Sequence, residues 1–409
     1  LQSMYGKSVL ITDYNCDGRD DLVVLSQNLI PNASEFPYDK RGRLYFYMGR
    51  PYFNNYTDTL FTITRRGITD SLGSIYDLIS SDLNGDGFKD VIGIQKDDNS
   101  SETPYESGLI VFYSNAQCDT IPDFQYMLYN PNLDTREILR DCQNLGDING
   151  DGCEDIGFTR VIRYYYPWPL SSLYDAEYYI LYGDPVSPHV ELLCNLNLQS
   201  EWYLYPKMRG IGNINNDAFD DFLLTYRHNE MNRHVNAVIY GNTVIDTLIT
   251  DEQLIYAGDD SGSYCGDMNG DGADDFVGVW GGRFNPKVWF GGNFNFSQPS
   301  LILDSPASGC LGFSHGDLNG DGYEDLIFGD DNMFNHYGRF CISLGDPYPN
   351  SSTDLIIDPP VYVNPYTFFG RTTSTGDLNC DGYDDIAVSA CDPGGSPDRP
   401  GTAYVYAGN

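Results

Sequence analysis

The chain has 409 residues, ample for a large buried core, and a formal charge of −36. Neutralising a phosphate backbone requires clustered Lys and Arg, so a net charge this negative argues against nucleic acid and anionic membrane surfaces as partners. No run of 18 apolar residues occurs, so no helical membrane insertion is expected.

The opening Leu1-Gln2-Ser3 reads as the start of a processed or excised fragment. A strand is predicted over Lys7-Ser8-Val9-Leu10-Ile11, followed by a nine-residue signature, D-x-N-x-D-G-x-x-D, that starts at Asp13. The run Leu22-Val23-Val24-Leu25 then reads as a strand buried on both faces. A variable loop leads to Leu44-Tyr45-Phe46-Tyr47-Met48-Gly49, and a last run is Thr59-Leu60-Phe61-Thr62-Ile63. We call these strand A, the signature loop, and strands B, C and D.

The same order recurs along the chain. The signature starts again at Asp82, Asp147, Asn213, Asp267, Asp317 and Asp377, at spacings of 50 to 69 residues. Four short antiparallel strands per unit, seven units and no helical periodicity predict an all-β, seven-bladed β-propeller in one domain. The blades are expected at 1–65, 66–129, 130–198, 199–252, 253–305, 306–360 and 361–409. The last blade stops after strand C, so three strands are expected there. The apolar edge at 402–407 is expected to be covered by a strand from outside these residues or from a neighbouring subunit.

Of the 59 acidic residues only 11 are Glu, an Asp excess that points to turns and hard-cation ligands. Loop positions 1, 3 and 5 place alternate oxygens around a tight turn, Gly at position 6 permits left-handed backbone, position 7 offers a carbonyl, and Asp at position 9 closes the shell. The candidate ligands are Asp13, Asn15, Asp17, Arg19 and Asp21 in the first loop, and Asp82, Asn84, Asp86, Phe88 and Asp90 in the second. The third and fourth supply Asp147, Asn149, Asp151, Cys153 and Asp155, then Asn213, Asn215, Asp217, Phe219 and Asp221. The fifth supplies Asp267, Asn269, Asp271, Ala273 and Asp275, and the sixth Asp317, Asn319, Asp321, Tyr323 and Asp325. The seventh supplies Asp377, Asn379, Asp381, Tyr383 and Asp385.

An EF-hand needs a bidentate Glu at position 12, where this chain has Val24, Gly93 or Phe328, and that reading fails. A metal-free Asx turn is the bland reading, set against three converging carboxylates that repel without a cation. Six to seven Ca²⁺ sites are therefore expected. The fourth loop stays open, because Asn213 replaces the first Asp and Ala218 the glycine.

These loops resemble the FG-GAP repeats of integrin α-subunit propellers and of bacterial surface proteins. The seventh unit carries the likeness best, with Phe369-Gly370 and then Gly376-Asp377-Leu378-Asn379-Cys380-Asp381-Gly382-Tyr383-Asp384-Asp385-Ile386-Ala387-Val388. The resemblance implies a ring with its cations in the A–B hairpins of one face, at the loop positions named above. It does not imply an activity.

Ten cysteines and the sequons at Asn32, Asn55, Asn99, Asn295 and Asn350 fit a secreted or cell-surface setting. Cys16 and Cys380 both occupy loop position 4 in blades that abut on ring closure, so a disulfide between them is expected. A protein or glycan ligand is expected on the face opposite the signature loops, where Arg163, Tyr165, Trp168, Trp202, Tyr203, Arg227, His228, Arg233 and His234 gather on long connections. The other reading is that these aromatics only cover the rim between blades. With five histidines and no nucleophile motif, a non-enzymatic adhesion module is expected. The alternative is a polysaccharide lyase using Tyr226, His228, Arg233 and His234.

Overall fold

Each signature feeds a β-branched run, and in a computed structural model each such run is the second strand of an antiparallel sheet. The structure describes residues 2–30, 39–50, 59–62, 74–96, 105–116, 122–130, 135–164, 173–195, 207–228, 233–246, 253–255, 262–278, 285–292, 296, 298–304, 310–330, 338–360, 368–390 and 401–409. The seven sheets span 2–62, 74–130, 135–195, 207–255, 262–302, 310–357 and 373–406. Strand D of blades 2 and 4 thus ends at Asn130 and Ile255, just past the boundaries expected at 129 and 252.

Blade 1 shows the plan: strands A to D are Gln2–Thr12, Asp21–Ile30, Asp39–Tyr47 and Thr59–Thr62, paired in that order. Consecutive A strands neighbour one another around the ring, and strand A of blade 1 meets strand A of blade 7. Blade 7 has three strands, Thr373–Gly376, Asp385–Ala390 and Thr402–Tyr406. The protein is a seven-bladed β-propeller.

The run that follows the ninth-position Asp in strand B is apolar because both of its faces are interfaces. Side chains alternate across a strand. Leu22 and Val24 therefore pack with Leu378 and Ala387 of blade 7, while Val23 and Leu25 pack with Ile75, Leu78 and Val91 of blade 2. The buried apolar residues fall into seven clusters, one between each pair of neighbouring blades. Blade 7 divides the same way: Ala403 and Val405 of its strand C face blade 1, and Tyr404 and Tyr406 face blade 6. The Phe369 ring is fully buried in the junction of blades 6 and 7, 5.7 Å from the Phe340 ring.

Candidate metal centres

The signature loop is shaped by its first aspartate. Asp82 shows the pattern: Oδ1 accepts the Asp86 amide hydrogen at 3.0 Å and Oδ2 that of Gly87 at 2.8 Å. Gly87 has φ 90°, in the left-handed region that favours glycine. The Asn at position 3 bridges the same turn, as Asn84 Oδ1 accepts from the Asp86 amide at 3.0 Å and its Nδ2 donates to Asp86 Oδ2 at 3.1 Å.

The ninth residue ties the loop to strand C. Asp90 accepts from Leu83 N at 3.1 Å and from Ser114 N at 2.9 Å. Asp155 does the same with Ile148 N and Gly183 N, and Asp325 with Leu318 N and Gly345 N. All seven ninth-position aspartates are at most 1 % exposed. Burial, reinforced by repulsion from positions 1 and 5, pushes Asp90 and Asp155 up to about 8. The same causes push Asp21, Asp275 and Asp325 up to about 7. Burial and the Asp217 charge bring Asp221 to about 7 as well.

Each loop thus holds hard oxygen donors around a buried carboxylate that resists ionisation, which is the donor chemistry a divalent cation relieves. Backbone amides hold the donors in place, and among the described residues no three His, Cys, Asp or Glu side chains close into a cage. The fourth loop departs from the pattern: Asn213 supplies an amide where the others have a carboxylate, and Ala218 is not in the left-handed region.

Position 7 contributes in a way the sequence did not indicate. Its side chain lies over position 4 of the preceding blade: a Cβ on Gly150 would sit 2.6 Å from the Phe219 ring, and one on Gly320 2.6 Å from the Tyr383 ring. Cys153 lies over Gly85 in the same manner. This stagger corrects the disulfide expectation. Cys380 of blade 7 lies among the charges of Arg19, Asp17 and Asp20 from blade 1, and neither Cys16 nor Cys380 is in a disulfide. Position 4 meets position 7, not another position 4. Cys142, Cys153, Cys194, Cys265 and Cys341 are also unbridged.

Position 8, which the signature leaves unspecified, joins the blades. Its carboxylate accepts the position-1 amide hydrogen of the preceding blade: Glu154 from Asp82 at 2.8 Å, Asp220 from Asp147 at 2.8 Å, Asp384 from Asp317 at 2.9 Å and Asp20 from Asp377 at 2.9 Å. In return the position-8 amides of Glu154, Asp220 and Asp384 donate to the same residues' carbonyls at 2.9 to 3.1 Å. Glycine at the end of strand A leaves room, since a Cβ on Gly146 would collide with Asp220. The seven position-8 residues, Lys89 among them, line an axial cavity of about 950 Å³. His315, also on this cavity, lies 2.7 Å from Glu324 through Nδ1 and edge-on to the Tyr264 ring.

Of the expected ligand-face residues, Arg163 is next to last in strand B of blade 3, Asp155–Tyr164, opposite Tyr174. Arg227 pairs with His234 and His228 with Arg233 across the B–C hairpin of blade 4. Tyr165, Trp168, Trp202 and Tyr203 lie outside the described residues.

Residues 267–328 match the family described as FG-GAP-like repeat, and residues 369–406 match the FG-GAP repeat. Integrin alpha-V of Gallus gallus is 32 % identical over 159 residues, covering 35 % of this chain and 14 % of that protein. The chain therefore corresponds to a small part of that relative. A neuraminidase-like protein of flat-faced bat origin aligns over 99 % of this chain and 86 % of its own, at 8 % identity and a TM-score of 0.31, a likeness that carries no argument. Blades 5 to 7 thus carry FG-GAP-type repeats on a closed ring of seven blades, and part of this β-propeller is similar to integrin alpha-V.

Proposed function

We propose that this propeller is a calcium-stabilised, extracellular adhesion-type module that binds a protein or glycan and is not an enzyme. The observation that carries the calcium reading is the repeated buried ninth-position aspartate, whose ionisation burial and two neighbouring carboxylates oppose. Bound Ca²⁺ would supply the missing positive charge and link positions 1, 3, 5, 7 and 9 of a loop. The likeness to an integrin α subunit supports a cell-surface setting and a protein partner, for which we propose the face opposite the loops. There the Arg227–His234 and His228–Arg233 hairpin of blade 4 stands at the end of its sheet.

Extracellular Ca²⁺ modules bind at about 10⁻⁴–10⁻³ M. A site of about 0.1 mM affinity at about 1 mM Ca²⁺ gains about 1.4 kcal/mol. Six such sites together give about 8 kcal/mol, comparable to the stability of a whole domain. EDTA should accordingly lower Tm by many degrees. An identical melting curve with and without chelator would refute the reading.

The edge of blade 7 supports a further element of this function. Both faces of Thr402–Tyr406 are packed, against blades 6 and 1, and strand Asp385–Ala390 pairs with only one of its two edges. We propose that a strand from outside the 409 residues, or from a second copy, pairs with the other edge. Amide exchange along 402–407 should slow when a version of the chain extended at either end, or a concentrated sample, is compared with the dilute chain. Equal exchange in all three would exclude it.

A further inference from the structure

Six signature loops and the fourth present opposite edges of one peptide unit. In loops 1, 2, 3, 5, 6 and 7 the glycine at position 6 has φ between 81° and 90°. Its amide hydrogen points at Oδ2 of the position-1 aspartate, at 2.8 to 2.9 Å. The carboxylate keeps its negative charge and further lone pairs turned to the loop interior.

In the fourth loop the same peptide unit is reversed. Asn213 Nδ2 donates to the Asp217 carbonyl oxygen at 2.8 Å, while Asn213 Oδ1 still accepts the Asp217 amide hydrogen at 3.0 Å. Ala218 follows without the positive φ of the glycines, which a side chain at that position disfavours. An amide nitrogen with two hydrogens is a donor only and cannot coordinate a cation. Asp217 keeps the contacts that position 5 makes in the other loops, accepting from Asn215 Nδ2 at 2.9 Å and from Phe219 N at 2.8 Å, so the departure lies at positions 1 and 6 alone. The Asn213 side chain takes over the role of closing the turn.

We infer that the fourth loop takes no cation and is latched instead by Asn213, so the chain binds six Ca²⁺ rather than seven. This rests on the calcium reading of the other loops. It makes blade 4 the one blade whose hairpin is closed without metal.

The test is a count of bound metal on the full chain, by equilibrium dialysis in saturating Ca²⁺ and elemental analysis. Six per chain is expected for the wild type, five for Asp321→Asn, and seven for the double variant Asn213→Asp/Ala218→Gly, which restores the carboxylate and the permissive residue. Seven in the wild type overturns the latch. A double variant that is folded by circular dichroism yet still binds six also overturns it. No specific binding in the wild type, or a count that Asp321→Asn does not lower, overturns the calcium reading itself and leaves the latch without a premise. The wild-type count decides between six and seven even if the double variant fails to fold.

Discussion

The Asp20 carboxylate accepts the amide hydrogen of Asp377 at 2.9 Å, across the junction of the first and last blades. Arg50 N adds a bond to the Leu378 carbonyl at 3.0 Å, so the ring closes by the same contacts that join other neighbouring blades. Burial and the Asp384, Asp13 and Asp377 charges push Asp20 up to about 6, so its value lies in accepting a hydrogen bond more than in its charge. Asp20→Ala should destabilise the chain by about 1–3 kcal/mol, the cost of a buried donor without an acceptor. Asp20→Asn, which keeps an acceptor, should cost much less. Urea titrations of both variants check this, and equal losses would count against it.

The ninth-position aspartates set a pH dependence whose direction reports metal. Burial raises all seven, and Asp21, Asp90, Asp155, Asp221, Asp275 and Asp325 reach about 7 or 8 from an ordinary 3.8. A carboxyl raised on folding contributes stability that is complete below its unfolded value and is lost as pH rises through the folded one. In EDTA, Tm should therefore fall steadily between pH 4 and pH 8. In excess Ca²⁺ the cation favours the ionised form and the fall should vanish or reverse. Parallel curves in the two buffers would contradict a cation beside these groups.

Asp155 also has an architectural duty that metal does not share. Its two oxygens accept from Ile148 N and Gly183 N, at 3.2 and 2.9 Å. Asp155→Asn keeps one acceptor oxygen, so one buried amide loses its partner, for about 1–3 kcal/mol. That loss should persist in EDTA, where cation binding no longer contributes. A variant matching the wild type in EDTA would show that the backbone bonds are dispensable.

Two glycines of one loop separate strain from packing. Gly322 has φ 87° and open space around it, so Gly322→Ala in EDTA should cost only the left-handed backbone penalty, about 1–2 kcal/mol. Gly320 has φ 71° and the Tyr383 ring 2.6 Å from where a Cβ would stand. Gly320→Ala should cost more, and the excess should shrink in a Tyr383→Ala background. Equal costs in both backgrounds would remove the packing contribution.

The sequence made the ring, its seven-fold repeat and the three-stranded last blade legible, because Asn at position 3, Asp at positions 5 and 9 and the apolar run of strand B recur in every unit. Position 8 was not legible. It varies among Asp, Glu and Lys89, so no single residue type marks it. The signal was there in part, since six of the seven residues are acidic and Gly146, Gly212, Gly266, Gly316 and Gly376 precede their loops. The Cys16–Cys380 pairing failed for a geometric reason that no single repeat contains. Neighbouring loops meet with a stagger, so equivalent positions never face one another.

The sharing of strand B between two interfaces also governs how the ring assembles. No blade owns a core: an open array of seven blades would have six apolar junctions, and only closure creates the seventh, where Val9, Leu22 and Val24 meet Leu378 and Ala387. Every intermediate blade docks against one neighbour, whereas the blade that arrives last seals two junctions in a single step. Nearest-neighbour coupling of this kind makes closure the most cooperative event in folding. A partly unravelled propeller is correspondingly short-lived, because losing one blade exposes half of two cores together.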